Sequence, residues 1–355
     1  MKLGLITDTH FGARNNNSAF HGYNELIYKD FFDEVDRQGI RNVIHLGDLY
    51  DKRTGVNTVS AAKARELFLE PLRQRGISTD IIAGNHDVFY KNTNAINSLQ
   101  ELVEGRYDNI RVWVEPQEIT IDGHKILLLP WIPTDDNEHF YNAINTSTAP
   151  FLMGHLELMD FEENRGVPAK HGMDAGLFSR FAVVCSGHYH APSFRSNIRY
   201  LGAFTELTWA DFDDPRGFSV IDLDTQEVEF IRNKHVMFST FTYDDETKKD
   251  MKHEVDSMNF SGKYVKIFVE NKTDNLMFDQ IFDRIAGQEP IDIKVVEGAM
   301  IKALAADDEE DVAGEDTLTI LNNYIDGLNM TISRDKMKTF MRDLYMEAVA
   351  VDGVD

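Results

Sequence analysis

The chain has 355 residues, 42% hydrophobic and 27% charged, enough to bury a substantial core in two domains of ordinary globular composition. Its net charge of −24 excludes a chain that grips nucleic acid through its own basic surface, so a DNA substrate would need bound metals and a more basic partner. A single cysteine, Cys185, excludes an intramolecular disulfide framework and fits a reducing cytoplasm, and no apolar run approaches the roughly 18–20 residues of a membrane span.

Lys2 to Ile6 reads as a strand that runs straight into Thr7-Asp8-Thr9-His10, leaving no room for a signal peptide. Tyr23 to Gln38 carries Ile27, Phe31, Phe32 and Val35 at helical spacing, with Gly39 as a stop. Asn42 to Leu46 is a second strand, ending at Gly47-Asp48. Val59 to Gln74 reads as a helix that Pro71 bends or ends early. Asp80 to Ala83 is a third strand before Gly84-Asn85-His86-Asp87, and Thr93 to Val103 reads as a short helix.

The rhythm then changes to strands. Ile110 to Val114, Gln117 to Ile121 and Lys125 to Leu129 come first, with Asp122-Gly123 as a hairpin turn. Phe151-Leu152-Met153 precedes Gly154-His155, and Ala182 to Cys185 precedes Gly187-His188-Tyr189-His190. Arg199 to Leu201, Phe218 to Leu223 and Glu227 to Ile231 continue the series. Alternating strand and helix followed by clustered strands predicts an α/β core of two stacked sheets flanked by helices, over residues 1–240.

A β-α-β pattern from Tyr264 to Val296 predicts a small α+β accessory domain at 241–302. The acidic run Asp307 to Asp311, then Glu315-Asp316, marks a linker at 303–316. Two helices follow in a tail at 317–355, the last apolar over a wide face through Met337, Phe340, Met341, Leu344 and Tyr345. A helix tethered beyond such a linker docks either on a partner or on its own chain.

Asp-x-His, Gly-Asp, Gly-Asn-His-Asp, Gly-His and Gly-His-x-His each follow a predicted strand. In a sheet of this kind the loops beyond the carboxyl ends of the strands gather along one edge. Asp, His and Asn offer oxygen and imidazole nitrogen without thiolate, a set that suits manganese, iron, zinc or nickel better than magnesium or calcium. Two cations about 3.5–4 Å apart, bridged by one carboxylate, can polarise a phosphoryl oxygen and lower the pKa of a water. A positioned acid such as His86 could then protonate the leaving group.

The order and spacing of these motifs resemble those of the calcineurin-like metallophosphoesterases. Asp8-Thr9-His10-Phe11-Gly12, Gly47-Asp48-Leu49-Tyr50-Asp51 and the small following domain are similar to the SbcD-type DNA repair nucleases. The resemblance implies a four-layer core and a metal-dependent DNA nuclease, exonuclease and endonuclease, that works in recombination and end processing. It implies that Asp8, His10 and His190 hold one metal and Asn85, His155 and His188 the other, most simply Mn2+, with Asp48 bridging. His86 corresponds to the family histidine that acts on the scissile phosphate without binding metal. Asp51 stands where some relatives carry a histidine important for the reaction; a carboxylate that orients a ligand histidine is the other reading. The resemblance also implies a homodimer through helices in about residues 57–104, and an SMC-like (SbcC-type) ATPase held by the C-terminal helices, in the cytoplasm. A phosphatase or cyclic-nucleotide phosphodiesterase on the same core, or a non-catalytic scaffold, are the alternatives. Asp51-Lys52-Arg53 and Gly84-Asn85-His86-Asp87 depart from the protein-phosphatase pattern.

Among the remaining candidates, His45 reads as core, while His21 and His171 fall in loops that could border the cleft. Lys52, Arg53, Arg14 and Arg165 lie near the motifs and could contact phosphates, although solvated surface charge is the simpler reading. Trp131 and Trp209 read as packing residues.

Overall fold

The computed structural model describes residues 1–135, 137–164, 166–247, 250–297 and 338. Residues 1–297 fall within one compact unit. The expected acidic linker and, apart from Lys338, the expected tail helices lie outside the described residues.

Two six-stranded sheets form the centre. In the first, Lys2–Ile6, Asn42–His45, Ser78–Ile82 and Ile110–Trp113 run parallel in that order, and the hairpin Gly217–Asp222/Glu227–Arg232 closes one side antiparallel. In the second, His124–Leu129, Phe151–His155, Val183–Gly187 and Ile198–Tyr200 run parallel between antiparallel edges at Gln117–Ile121 and Ser193–Arg195. The period-two alternation of side chains shows how the sheets stack. Leu3, Leu5, Ile44, Ile126, Leu128, Phe151, Met153, Val183 and Cys185 share one buried cluster between the sheets. Ile6 and Val43 point instead into a cluster with helix Ser18–Gln38. Leu127, Leu129, Leu152 and Val184 point into another, with helix Glu138–Thr146. Helices, sheet, sheet and helices make the four layers expected.

Helix Ser18–Gln38 begins where the Asn17 side chain accepts the Ala19 N–H, and it stops at Gly39 in the left-handed region. It starts earlier than its apolar spacing implied, so His21 is helical rather than in a loop. Pro71 does not end the next helical run. A π-helical turn, Arg65–Leu69, takes up the residue that the proline ring would otherwise clash with, and the run continues to Gln74. The helix expected from Thr93 to Val103 is a correction of another kind. Val88–Tyr90 and Thr93–Asn97 pair as a hairpin, and only Ser98–Leu102 is helical, capped by the Asn97 side chain. Asn94 fixes the hairpin by donating to the carbonyls of Val114 and Trp131, a tertiary tie that local spacing does not reveal.

Phe238–Asp244, Tyr264–Asn271 and Asp292–Glu297 form a parallel three-stranded sheet with helices Met251–Ser257 and Asn275–Ala286. Phe241, Tyr243, Val255, Ile267 and Ile281 give these elements a hydrophobic cluster of their own. The first strand starts at Phe238 and so runs across the boundary placed at 240/241. Glu206 pins that start: its buried carboxylate accepts the N–H groups of Met237 and Phe238. No described helix is long and apolar enough to cross a membrane.

Burial pushes the Glu206 carboxyl up to about 7 from its ordinary 4.5, against the two amides, which lower it. The folded chain therefore holds this proton more tightly than the unfolded one. The resulting stability is complete below about pH 4.5 and is lost as pH rises through about 7, a swing of about 3 kcal/mol. Glu206→Gln keeps the acceptor and removes the titration. Denaturant unfolding at pH 5 and pH 8 should show a smaller loss of stability in the variant than in the native chain.

Candidate metal centre

The parallel strands place their carboxyl ends on one edge, and the loops there are stitched together before any side chain is considered. Asp8 N–H donates to the Gly47 carbonyl (3.0 Å), His10 N–H to Asp48 (3.1 Å) and Trp131 N–H to Ala83 (2.8 Å). Asp8, His10, Asp48 and His188 all have left-handed backbones, with φ of 49°, 43°, 57° and 91°. Non-glycine residues adopt that region at a cost, and they do so most often where a site demands it. Two glycines are fixed by crowding: a Cβ on Gly84 would collide with the Asp48 carboxylate, and one on Gly187 with Thr7 Oγ1 and the Asp8 carboxylate.

The side chains converge in two groups. His10 Nε2 and His190 Nε2 lie 3.2 Å apart, each about equally distant from Asp8 Oδ1 at 3.9 and 4.0 Å. Asn85 Oδ1 lies 2.9 Å from His155 Nε2 and 2.8 Å from His188 Nδ1. Asp48 stands between the groups, its Oδ2 3.4 Å from His155 Nε2 and 3.9 Å from His10 Nε2. Asp8 belongs with Asp48 and His155 as well as with His10 and His190, so it too borders both groups. Tyr189, between the paired histidines, turns away and donates to the Leu158 carbonyl.

These groups fit cations. Burial drives His10 well below 6.5 and His188 down to about 3, so both rings are neutral and offer a lone pair. His155 Nδ1–H donates to the Leu46 carbonyl at 2.7 Å, which presents Nε2 to the site. Burial lowers its pKa, but Asp48 and Asp8 outweigh that and draw it up to about 9. The pocket calls for positive charge at that point.

His86 donates from Nδ1 to the Asp51 carbonyl, so Nε2 is the ring atom left to work, and its ring stands edge-on 4.9 Å from His10. Burial lowers its pKa, but the charge of Asp48 and the Asp51 carbonyl raise it further. The Asp51 carboxylate lies 3.6 Å from His10 Nδ1, too long for a hydrogen bond.

Asp87, the last residue of Gly-Asn-His-Asp, acts through the backbone. Its buried carboxylate accepts N–H groups from Gly84 and Asp48 at 2.9 and 2.8 Å and from Leu49 and Tyr50 at 3.1 and 3.3 Å. It clamps the loop that carries Asp48 to the loop that carries Asn85 and His86. Its place in Gly-Asn-His-Asp was the available signal. His45 is core, as read, and accepts the Gly47 N–H at Nδ1 while Nε2 meets Thr9 Oγ1. The nearby cations are engaged locally: Arg53 donates to the Asn85 carbonyl, Lys52 to Asn15 and Arg14 to the Leu207 carbonyl. Arg165 lies outside the described residues. His171 is exposed.

Residues 1–226 match the calcineurin-like phosphoesterase superfamily domain, and the chain belongs to that superfamily. It is a hydrolase of phosphoester bonds by class. Its likeness to one protein runs almost end to end. It is 29% identical over 351 residues to exonuclease subunit 1 of Enterobacteria phage T4, covering 98% of this chain and 99% of that one. A shorter match, 34% identical over 127 residues, joins 33% of this chain to 31% of the DNA double-strand break repair protein Mre11 of Sulfurisphaera tokodaii.

Asp87→Asn replaces one acceptor oxygen by a donor in a nest of backbone donors. The variant should lose about 1–3 kcal/mol of stability, read as a lower urea midpoint at unchanged slope. An unchanged midpoint would show that the clamp contributes nothing.

Proposed function

We propose that this chain is a two-metal-dependent DNA nuclease, acting as exonuclease and endonuclease within a recombination and end-processing complex. What carries the reading is the convergence of ligand-type side chains from the strand ends, in a chain that matches a phage exonuclease subunit over 98% of its length. Asp8, His10 and His190 would hold one cation and Asn85, His155 and His188 the other, with Asp48 between them. Oxygen and imidazole donors without thiolate fit manganese. When bound, the cations supply charge to neutralise a phosphoryl oxygen and to acidify water.

The chain's own groups do the rest. His155 and His45 are locked in orientation by backbone partners, which keeps the ligand loops from relaxing. His86, held through Nδ1, carries a proton at Nε2 for the leaving oxygen or steadies charge on the phosphoryl group. Asp51 is assigned a positioning role, through its carbonyl on His86 and its carboxylate beside His10.

The accessory unit at 241–302 and the tail at 317–355 are assigned to assembly, the tail docking on an SMC-like ATPase through Met337, Phe340, Met341, Leu344 and Tyr345. Residues 57–104 would supply a homodimer contact. The relatives are named as a subunit and as a break repair protein, which supports a complex. So does the charge of −24, since a basic partner would offset the repulsion of DNA. A cytoplasmic location goes with this role.

Full-length protein with manganese is offered labelled duplex DNA, single-stranded DNA and a phosphomonoester, with and without the ATPase. DNA should be degraded, and His86→Ala should lower the rate about 100-fold or more with metal content retained. Turnover of the monoester alone would overturn the nuclease reading. Metal analysis should find two equivalents, reduced in Asp48→Ala; a stoichiometry of one in the native chain rules out the two-metal site.

A further inference from the structure

We propose that the cleft beside His155 is a nucleobase subsite, which takes the base of the nucleotide whose phosphate lies at the metal ligands. The proposal rests on the nuclease reading above and adds to it a place for a part of the substrate that the metal ligands do not touch. The cleft measures about 480 Å³ and includes His155 itself in its lining, so a phosphate held at Asn85, His155 and His188 has its attached nucleoside at the mouth. That volume is in the range of sites that enclose small molecules.

Its walls are built in advance. Trp131 lies with its ring 5.2 Å from that of His188 and 6.3 Å from that of His155, and its backbone N–H is tied to the carbonyl of Ala83, just before the Gly-Asn-His-Asp loop. From there the wall passes through Ile132 and Pro133 to Asn137, whose side chain donates to the carbonyls of Pro133 (3.1 Å) and Thr134 (3.2 Å). The facing wall is held by Met173 N–H to the Glu157 carbonyl (2.8 Å) and Met159 N–H to Met173 (3.1 Å). Gly172 permits that approach: its φ is 116°, and a Cβ there would stand 2.5 Å from the Glu157 carbonyl oxygen. Tyr141, half-buried on helix Glu138–Thr146, and Leu177, 38% exposed, complete the apolar lining.

The chemistry of this lining selects a base rather than a phosphate. None of its residues is a lysine or arginine: apart from the His155 ring at the edge shared with the metal centre, Glu157 is the one acidic or basic side chain in the lining. Flat apolar and aromatic surface receives the face of a base by stacking, whatever its identity. Thr134 and Glu157 add polar atoms for its edge. An acidic chain gains from such a subsite, because stacking holds a strand without any positive charge. The base must leave its neighbours to enter, so the subsite serves an unpaired or frayed end.

Full-length protein with manganese is given single-stranded oligonucleotides in which one abasic tetrahydrofuran residue is moved along the strand. In the native chain, cleavage of the bond at one fixed offset from the abasic residue should fall about tenfold, the scale of a lost base stack. Tyr141→Ala, and separately Leu177→Asp, should show about that loss on the intact strand and no further loss with the abasic residue at that offset. Rates on that abasic strand equal to the native chain's show that the variants are folded and metal-loaded. A native rate indifferent to the abasic residue at every position would overturn the subsite, as would losses that multiply rather than coincide. Failure of the native chain to cut any intact strand would overturn the nuclease reading itself, an outcome distinct from these.

Discussion

Two carboxylates, Asp8 and Asp48, are buried side by side at the end of the sheets, and the rest of the site answers to that fact. Burial raises the pKa of Asp8, whereas His155 and His86 outweigh burial at Asp48 and hold it well below the ordinary range. Like charges this close and this dry are tolerated only where positive charge or hydrogen-bond donors are supplied. The chain supplies donors from Thr7 and the His188 and His86 amides, and imidazole on several sides. A cation is the remaining group that would settle the account, and the neutral rings of His10 and His188 are in the state that receives one.

The same pressure explains the backbone. A loop that relaxed would let water reach the carboxylates, and the crossed ties between the first two strand ends prevent it. Asp87 extends the restraint to the third. The clamp uses a carboxylate to hold amides, and those amides belong to the loops that carry Asp48, Asn85 and His86, so geometry at the centre is inherited from a group behind it. The left-handed backbones of Asp8, His10, Asp48 and His188 are held in place by this scaffold.

Much of this was legible in the sequence because glycine and histidine are informative at strand ends. The core strands announced themselves as short continuous apolar runs, as strands covered on both faces do, and the motifs after Ile6, Leu46, Ala83, Met153 and Cys185 marked the edge where the site lies. What sequence did not reveal was what depends on distant partners. Thr93 to Val103 had helix-like spacing, but its fate was decided by Asn94 reaching Val114 and Trp131. Pro71 looked like a bend or an end, and the π-turn ahead of it lets the run continue to Gln74. Asp87 was visible as a letter in a motif, yet its function is a set of bonds to a loop some forty residues earlier. The cleft beside His155 brings Trp131 and Tyr141 together with Met173 and Leu177, and outside Gly154-His155 none of these positions belongs to a motif.

His188 and His190 sit one residue apart and present opposite ring nitrogens, Nδ1 to the Asn85 group and Nε2 to the His10 group. In consequence the two halves of the centre are chemically addressable one at a time. With a diamagnetic cation such as zinc in place of manganese, ring-nitrogen chemical shifts within the tripeptide His188-Tyr189-His190 would follow the two groups separately, Nδ1 for one and Nε2 for the other.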